Sequence, residues 1–449
     1  MNLILENSKK ILFSLLVASL SYILIYNLLH FDPILGYDAE AHYSYIDTFS
    51  RYLPRTIHIP TVEESREFFS PPLTYFFPAA IQVICRNISS SQNLLEYCQP
   101  IYGKISQIFQ NLLFLASIYI NLQTLKKIQN TKTFNLSFLI LTMLLTSNYR
   151  TVSMIRGELY ILFFLSLMIN YFLKMEIKKF EYNKKDFIIF GIIIGCLALS
   201  RQWVFLIFPA FFLLLFKTKD IRKKYFEFIS LSFFIGFIIS SWFYFINFFR
   251  YGTFTAFNTK ANNDLSYSRF LEFVSFNNVG DYIFSNPIRP YFGNKFFPIF
   301  YSEVWGDYWG YFSFTSRFLD VGRDQMAMGT FLGRVNLISL FTTFIILFFF
   351  IKGVQKSKNN LTINLINYAV IISIVGYFLF VILYQTGSQG DTIKATYMTQ
   401  LINLIVFVSA ISMERIKNKK NYIIIIFTLT GIFVHNFQSY LSHFPIYYP

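Results

Sequence analysis

Charge is what this chain has least of. Only 14% of its 449 residues are Asp, Glu, Lys or Arg, where a soluble domain carries roughly a quarter. That shortage argues against a soluble fold of this length. Cysteine is scarce too. Cys85, Cys98 and Cys196 are the three, none in CxxC spacing, which speaks against a structural zinc site. No internal repeat is visible, which weakens a transporter built from inverted halves. The first apolar run, 11–31, lacks a small-residue cleavage pattern and is too long for a signal-peptide core, so it reads as a retained first helix.

Apolar and aromatic residues fill the space that charge leaves. The chain is 54% hydrophobic and 20% aromatic, with a mean hydropathy of +0.46. Apolar runs of the roughly 20 residues a membrane helix needs recur along the whole length. The expected fold is an all-α polytopic membrane protein, one integral membrane domain over 1–449 with no large soluble domain appended. The net charge of +15 does not point to nucleic acid. Its basic residues fall in short clusters between apolar runs, the positive-inside pattern.

Those clusters fix a topology. Lys9-Lys10, Lys126-Lys127, Lys174 to Lys185, Lys217 to Lys224, Lys352 to Lys358 and Arg415 to Lys420 share the cytoplasmic side only if an even number of spans separates each from the next. About eleven spans satisfy this: 11–31, 103–123, 133–149, 156–174, 187–201, 202–217, 226–250, 335–351, 362–385, 397–412 and 421–437. The apolar stretch Pro71 to Cys85 would reverse every later cluster if it crossed. It is also about 15 residues, roughly 22 Å as a helix, too short for a core of about 30 Å. It is expected to be a juxtamembrane or re-entrant helix that does not cross, opened by Pro71-Pro72. Two large outer segments result. One is 32–102, with Cys85 and Cys98 placed to form a disulfide or to remain two thiols. The other is 251–334, aromatic-rich around Trp305-Gly-Asp-Tyr-Trp309.

Carboxylates beside a membrane are costly to desolvate and tend to mark chemistry or ion handling. Asp38 and Glu40 lie just after the first span, with His42 beyond them. Extended backbone puts 38 and 40 on one side; a helix start near Ala39 makes Asp38 an N-cap with His42 one turn on. Either Asp38 or Glu40 suits a general base toward a hydroxyl, and each equally suits a plain cap or a solvated acid. Glu67 precedes Pro71-Pro72, which restrict the backbone around it. Arg156 has Glu158 beside it to pair with. Arg201, between two apolar runs, has no acidic sequence neighbour, and a guanidinium there suits a phosphate.

Taken in order, Asp38-Ala-Glu-Ala-His-Tyr-Ser-Tyr-Ile46, Leu53-Pro54 and Glu67-Phe-Phe-Ser-Pro-Pro-Leu-Thr-Tyr75 resemble the GT-C superfamily of membrane glycosyltransferases. The resemblance is to the family-39-like branch, with its protein O-mannosyltransferases and lipid-A aminoarabinose transferases. It covers about 40 residues, then only topology and Lys394-x-x-Tyr397. Many members have adjacent Asp-Glu where this chain has Asp38-Ala39-Glu40, so the base is Asp38 or Glu40, with Asp38 preferred. The resemblance implies a GT-C-like bundle with outer juxtamembrane helices. It implies inverting sugar transfer from a polyprenyl-phosphate donor to a lipid, glycan or protein acceptor. The site would face outward from a bacterial inner membrane. His42, Glu67, Tyr75, Arg201, Lys394 and Tyr397 would bind substrate, with no metal required, although the acidic residues admit a divalent ion. Phosphate leaves readily, so one base suffices, unlike the two carboxylates of a glycosidase. The rival readings are a lipid-linked glycan polymerase or ligase, and a lipid or sugar transporter or flippase.

Overall fold

A computed structural model describes residues 2–88, 94–131, 135–257, 267–277, 279–313, 323–356, 359–384 and 390–442. Among these the chain is helical, in the order α1 (Asn2–His30), α2 (Ala39–Tyr52), α3 (Leu73–Ile88), α4 (Leu94–Gln129), α5 (Leu136–Met143), α6 (Thr146–Ser153), α7 (Glu158–Ile177) and α8 (Lys184–Ala198). There follow α9 (Pro209–Leu213), α10 (Arg222–Tyr251), α11 (Tyr267–Val274), α12 (Gly280–Ile283), α13 (Phe296–Trp305), α14 (Arg323–Lys356), α15 (Leu361–Leu383), α16 (Thr399–Glu414) and α17 (Lys419–His435). Seven stretches among the described residues are long and apolar enough to cross a membrane: those of α1, α4, α7, α10, α14, α15, and α16 with the helical turn before it.

Side-chain contacts gather the lysine-rich turns at one end of the bundle. Glu414, closing α16, accepts from Ser137 Oγ at 2.9 Å and Tyr422 Oη at 2.6 Å, and Lys9 Nζ lies 3.7 Å away. Glu176, closing α7, accepts from Leu361 N at 2.7 Å, and Glu181 pairs with Lys224 at 2.9 Å. Asparagine marks four helix starts at this end. Asn135, Asn183, Asn360 and Asn418 each take a backbone N–H of the first turn, satisfying donors that a helix start leaves open. Of the eleven predicted passes, seven are helices long and apolar enough to cross a membrane, and those at 133–149, 187–201, 202–217 and 421–437 are shorter or interrupted.

Two of these passes are broken. The expected span 133–149 is two eight-residue helices, α5 and α6, parted at Leu144-Leu145. Every residue of both is buried, which is what makes interrupted backbone tolerable at this depth. The pass 202–217 is 3-10 turns around α9, which Pro209 opens. By contrast, α8 and α10 lie unusually close. A Cβ on Gly191 would fall 2.6 Å from Ile235 Cβ, and one on Gly195 2.7 Å from Ile239 Cγ2, so small residues set this contact.

α3 starts and finishes at the end away from the lysines. Leu73 N donates to Leu199 O at 3.1 Å where α8 ends, and a Cys85–Cys98 disulfide ties its last turns to the start of α4. It packs with α2 through a second core of Tyr45, Phe49, Tyr75, Tyr102 and Phe243. The loops 32–38 and 53–72, the bend at Ser200-Arg201, the turn 306–313 and the segment before α16 meet here.

Candidate active site

Asp38 precedes α2 with φ +53°, and its side chain makes no cap hydrogen bond to that helix. It accepts instead from Lys394 Nζ at 2.9 Å. Lys394 holds Asp38 well below the usual carboxylate range, against a partial loss of water around a side chain that stays 47% exposed. Burial lowers Lys394, but Asp38 outweighs it and lifts the ammonium above its ordinary value. The backbone of Lys394 is fixed by the Tyr377 hydroxyl, which accepts from Lys394 N at 2.9 Å and donates to Lys394 O at 3.1 Å. The rings of Tyr37 and Tyr397 lie 5.1 and 5.5 Å from the ammonium, a favourable setting for a cation.

Beside this pair runs a chain of alternating charge. Glu67 Oε2 accepts from Arg201 Nη1 at 2.8 Å, with the Ser70 hydroxyl bonded to both residues. Arg201 Nε reaches Glu158 Oε1 at 3.2 Å, and Arg156 Nε reaches Glu158 Oε2 at 3.3 Å. Arg156 then donates to Tyr37 O at 3.4 Å, returning to the residue before Asp38. All four charged side chains are buried. Burial alone raises Glu67, but Arg201 and His42 together hold it at about 2. Charges this deep persist because each has a partner and hydrogen bonds. The Arg156–Glu158 pair is the one its spacing predicts; Arg201 finds its acids at 67 and 158, far along the chain.

The two pairs open onto one cavity of about 720 Å³. Asp38, Glu40, Glu67, Arg201, Lys394 and Tyr397 line it, as do Trp203, Arg289, Trp309 and Tyr311. Trp203 and Tyr397 stack at 4.8 Å, presenting flat apolar faces beside the charged groups. Glu40 stands at the rim, its side chain 90% exposed and 4.0 Å from Arg66, itself 79% exposed. His42 and Tyr75 are the two predicted site residues that do not line the cavity. They sit behind it, His42 Nδ1 and Tyr75 Oη bonded at 2.7 Å, with Tyr75 stacked on Tyr45 at 3.9 Å. Burial takes His42 down to about 4, against the pull of Glu67. Among the described residues no three His, Cys, Asp or Glu side chains gather as metal ligands.

A second buried cluster was not foreseen. Arg150 of α6 meets Glu303 of α13 at 2.8 Å and Asp307 at 3.4 Å, all with no exposed side-chain surface. Nothing at 150 in the sequence pairs it with residues more than 150 positions on. The one signal was the Trp305 to Trp309 motif, which contains Asp307.

No family model and no curated protein matches the chain. In three dimensions it is similar to ArnT from Cupriavidus metallidurans bound to undecaprenyl phosphate, at 10% identity and a TM-score of 0.48. That match covers 93% of this chain and 63% of the other. It is also similar to an Archaeoglobus fulgidus oligosaccharyltransferase in complex with zinc and sulfate, at 12% identity and a TM-score of 0.47. There the match covers 95% of this chain and 53% of the other. The chain thus spans less than two thirds of either protein. Likeness at this level leaves the chemistry to the site's own geometry.

Proposed function

We propose that this chain is an integral-membrane glycosyltransferase moving a sugar from a polyprenyl-phosphate donor to an acceptor hydroxyl on the non-cytosolic side. The observation that carries the reading is the Asp38–Lys394 pair on the wall of a cavity at the end of the bundle away from the lysine clusters. The cavity supplies what such a transfer needs. Lys394 is a cation for the lipid phosphate, Asp38 is a carboxylate for the acceptor proton, and Trp203, Tyr397 and Trp309 offer flat faces for a sugar ring. The motif resemblance to GT-C enzymes of the family-39-like branch runs through the same residues.

The chemistry is one displacement. The acceptor oxygen attacks the anomeric carbon as its proton passes to Asp38. The bond from that carbon to the phosphate oxygen breaks with inversion, and the phosphate leaves carrying the electron pair. Lys394 stabilises the charge that builds on it. In the empty site Asp38 is a weak base, because Lys394 favours its ionised form. A phosphate drawn to Lys394 loosens that hold and restores basicity at the moment a donor is present. Glu67 and Arg201 line the same space and shape it. No step requires a metal.

The test uses purified protein, radiolabelled polyprenyl-phosphate sugars and candidate acceptors. Wild type is expected to transfer label, Asp38→Asn to fail, and Glu40→Gln to retain transfer. Unchanged transfer by both variants would remove the proposed base.

A further inference from the structure

Asp38 and Lys394 meet although 356 residues separate them, so something must hold both segments at one point. Beyond the Tyr377 and Arg156 bonds to their backbones, one set of contacts reaches both segments and converges on Glu303. Its Oε2 accepts from Tyr37 Oη at 2.6 Å and lies 2.8 Å from Arg150 Nη2. Its Oε1 accepts from Trp309 N at 3.2 Å. Trp309 in turn donates from Nε1 to Ile393 O at 3.1 Å. Tyr37 is the residue before Asp38, and Ile393 the residue before Lys394. Asp307 braces the same turn, its Oδ2 accepting from Phe312 N and Ser313 N at 2.8 Å each. Arg150 Nη1 adds a bond to Gly306 O at 3.0 Å.

A buried arginine with two carboxylates gains little stability over apolar packing. Its worth here lies in directionality. One carboxylate oxygen of Glu303 takes its donor from the Asp38 segment, and the other holds Trp309, whose indole N–H reaches the Lys394 segment. We propose that Glu303, anchored by Arg150, is a positioning residue that sets the Asp38–Lys394 spacing by holding Tyr37 directly and Ile393 through Trp309. Its consequence for catalysis rests on the glycosyl-transfer reading above; its consequence for geometry does not.

The surroundings give this role a pH signature. Burial pushes Glu303 up to about 7, with Arg150 opposing and Asp307 adding to the rise. Tyr37 faces it from the loop, Arg150 from α6 and Asp307 from the turn. Tyr308 and, on α15, Tyr377 lie within electrostatic range. Tyr37, Trp309 and both terminal nitrogens of Arg150 donate to the two carboxylate oxygens of Glu303, so a proton on its carboxyl competes with a donor. Transfer should therefore rise with pH through about 7.

The decisive experiment needs no turnover. Cysteines replace Asp38 and Lys394 in the full chain carrying Cys196→Ala, and their cross-linking by a short bis-methanethiosulfonate is timed in membranes. Adding Glu303→Gln is expected to slow cross-linking roughly tenfold, the scale of one lost buried hydrogen bond to a charged group. Adding Glu414→Gln, which removes a bonded carboxylate at the lysine-rich end, should leave the rate unchanged. Equal rates in the two backgrounds, with both proteins monodisperse, would overturn the proposal. If Glu303→Gln does not fold, Tyr37→Phe removes one donor from the same carboxylate. A slower rate there supports the proposal, and an unaltered one overturns it. In the transfer assay Glu303→Gln should flatten the rise near pH 7, and a rise that persists would break the link to catalysis. Absence of transfer by wild type would sink the functional reading alone, leaving the cross-linking result intact.

Discussion

Lys394 Nζ donates to Asp38 Oδ2 at 2.9 Å, and each residue is held in its charged form by the other. An acid so placed is a poor base until its cation is engaged elsewhere. On the proposed reading, the arrangement ties proton abstraction to the presence of a phosphate, which would limit idle activation of water or acceptor when no donor is bound.

Asp38→Asn removes the proposed proton acceptor while leaving a polar group beside Lys394. Turnover should fall by about 10²–10⁴, the usual worth of a positioned base, with donor affinity retained. Lys394→Met should lose both donor affinity and turnover. Glu40→Gln, at the exposed rim, should stay within about twofold, because an exposed ion pair contributes little. Initial rates at saturating donor, with a separate donor-binding titration, distinguish the three.

Two buried groups, His42 and Glu67, should each withdraw stability as pH falls, and the signs follow from their shifts. Burial lowers His42 from 6.5 to about 4, so the unfolded chain takes up that proton first and stability falls as pH drops from 6.5 toward 4. Glu67 is lowered from 4.5 to about 2, so its contribution is whole above 4.5 and is lost as pH falls through that window to 2. Glu303, raised from 4.5 to about 7, acts in the opposite sense between those values, so the His42 contribution is read as a difference. Thermal melts in detergent should show His42→Asn losing less stability than wild type between pH 6.5 and 4.5, with the two declining alike below 4.

Much of this architecture could be read from one sequence. The basic clusters at 126–127, 174–185 and 415–420 identify the common end, because charge placement repeats with every pair of spans. The short run 71–85 betrays itself by length. Asp38, Glu67 and Lys394 could be nominated because polar groups next to apolar runs are rare. The partnerships among them were not legible. Arg201 looked unpaired since its acids lie at 67 and 158, and Arg150 has no acidic sequence neighbour, since Glu303 and Asp307 lie in another segment. Ion pairing is a property of the packed bundle, and local spacing reports only neighbours such as Arg156 and Glu158. The broken pass at 144–145 was equally hidden, because α5 and α6 are as apolar in sum as one continuous span.

The Cys85–Cys98 disulfide should matter for stability. It closes a short loop of 13 residues' separation, which in the chain-entropy account is worth about 3 kcal/mol. Cys85→Ser with Cys98→Ser should lower the melting temperature, and wild type should fall to the same value after reduction. Bonds of this kind persist in oxidising surroundings, which agrees with a non-cytosolic face for α3.

Orientation can be checked directly by impermeant thiol labelling of intact cells. Arg55→Cys, exposed in the loop after α2, should react from outside. Lys223→Cys, exposed at the start of α10, should react only after the membrane is opened. The opposite outcome would turn the cavity toward the cytosol and remove the proposed reaction from the outer face.

Arg201 offers a test of what the buried charges do. Its guanidinium spans Glu67 at 2.8 Å and Glu158 at 3.2 Å, so removing it strands two carboxylates that only Arg156 and Ser70 still reach. Arg201→Met should cost about 3–5 kcal/mol, the range for breaking a buried pair from one side. Glu67→Gln should cost less, since Glu158 remains to balance Arg201. Because the partners touch, the two changes should not add. The double variant should be more stable than the sum of the singles by about 0.5–3 kcal/mol, measured as shifts in a denaturant midpoint at constant slope. Additive losses would mean that Arg201 draws its stability from Glu158 alone, leaving Glu67 free to meet a ligand in the cavity.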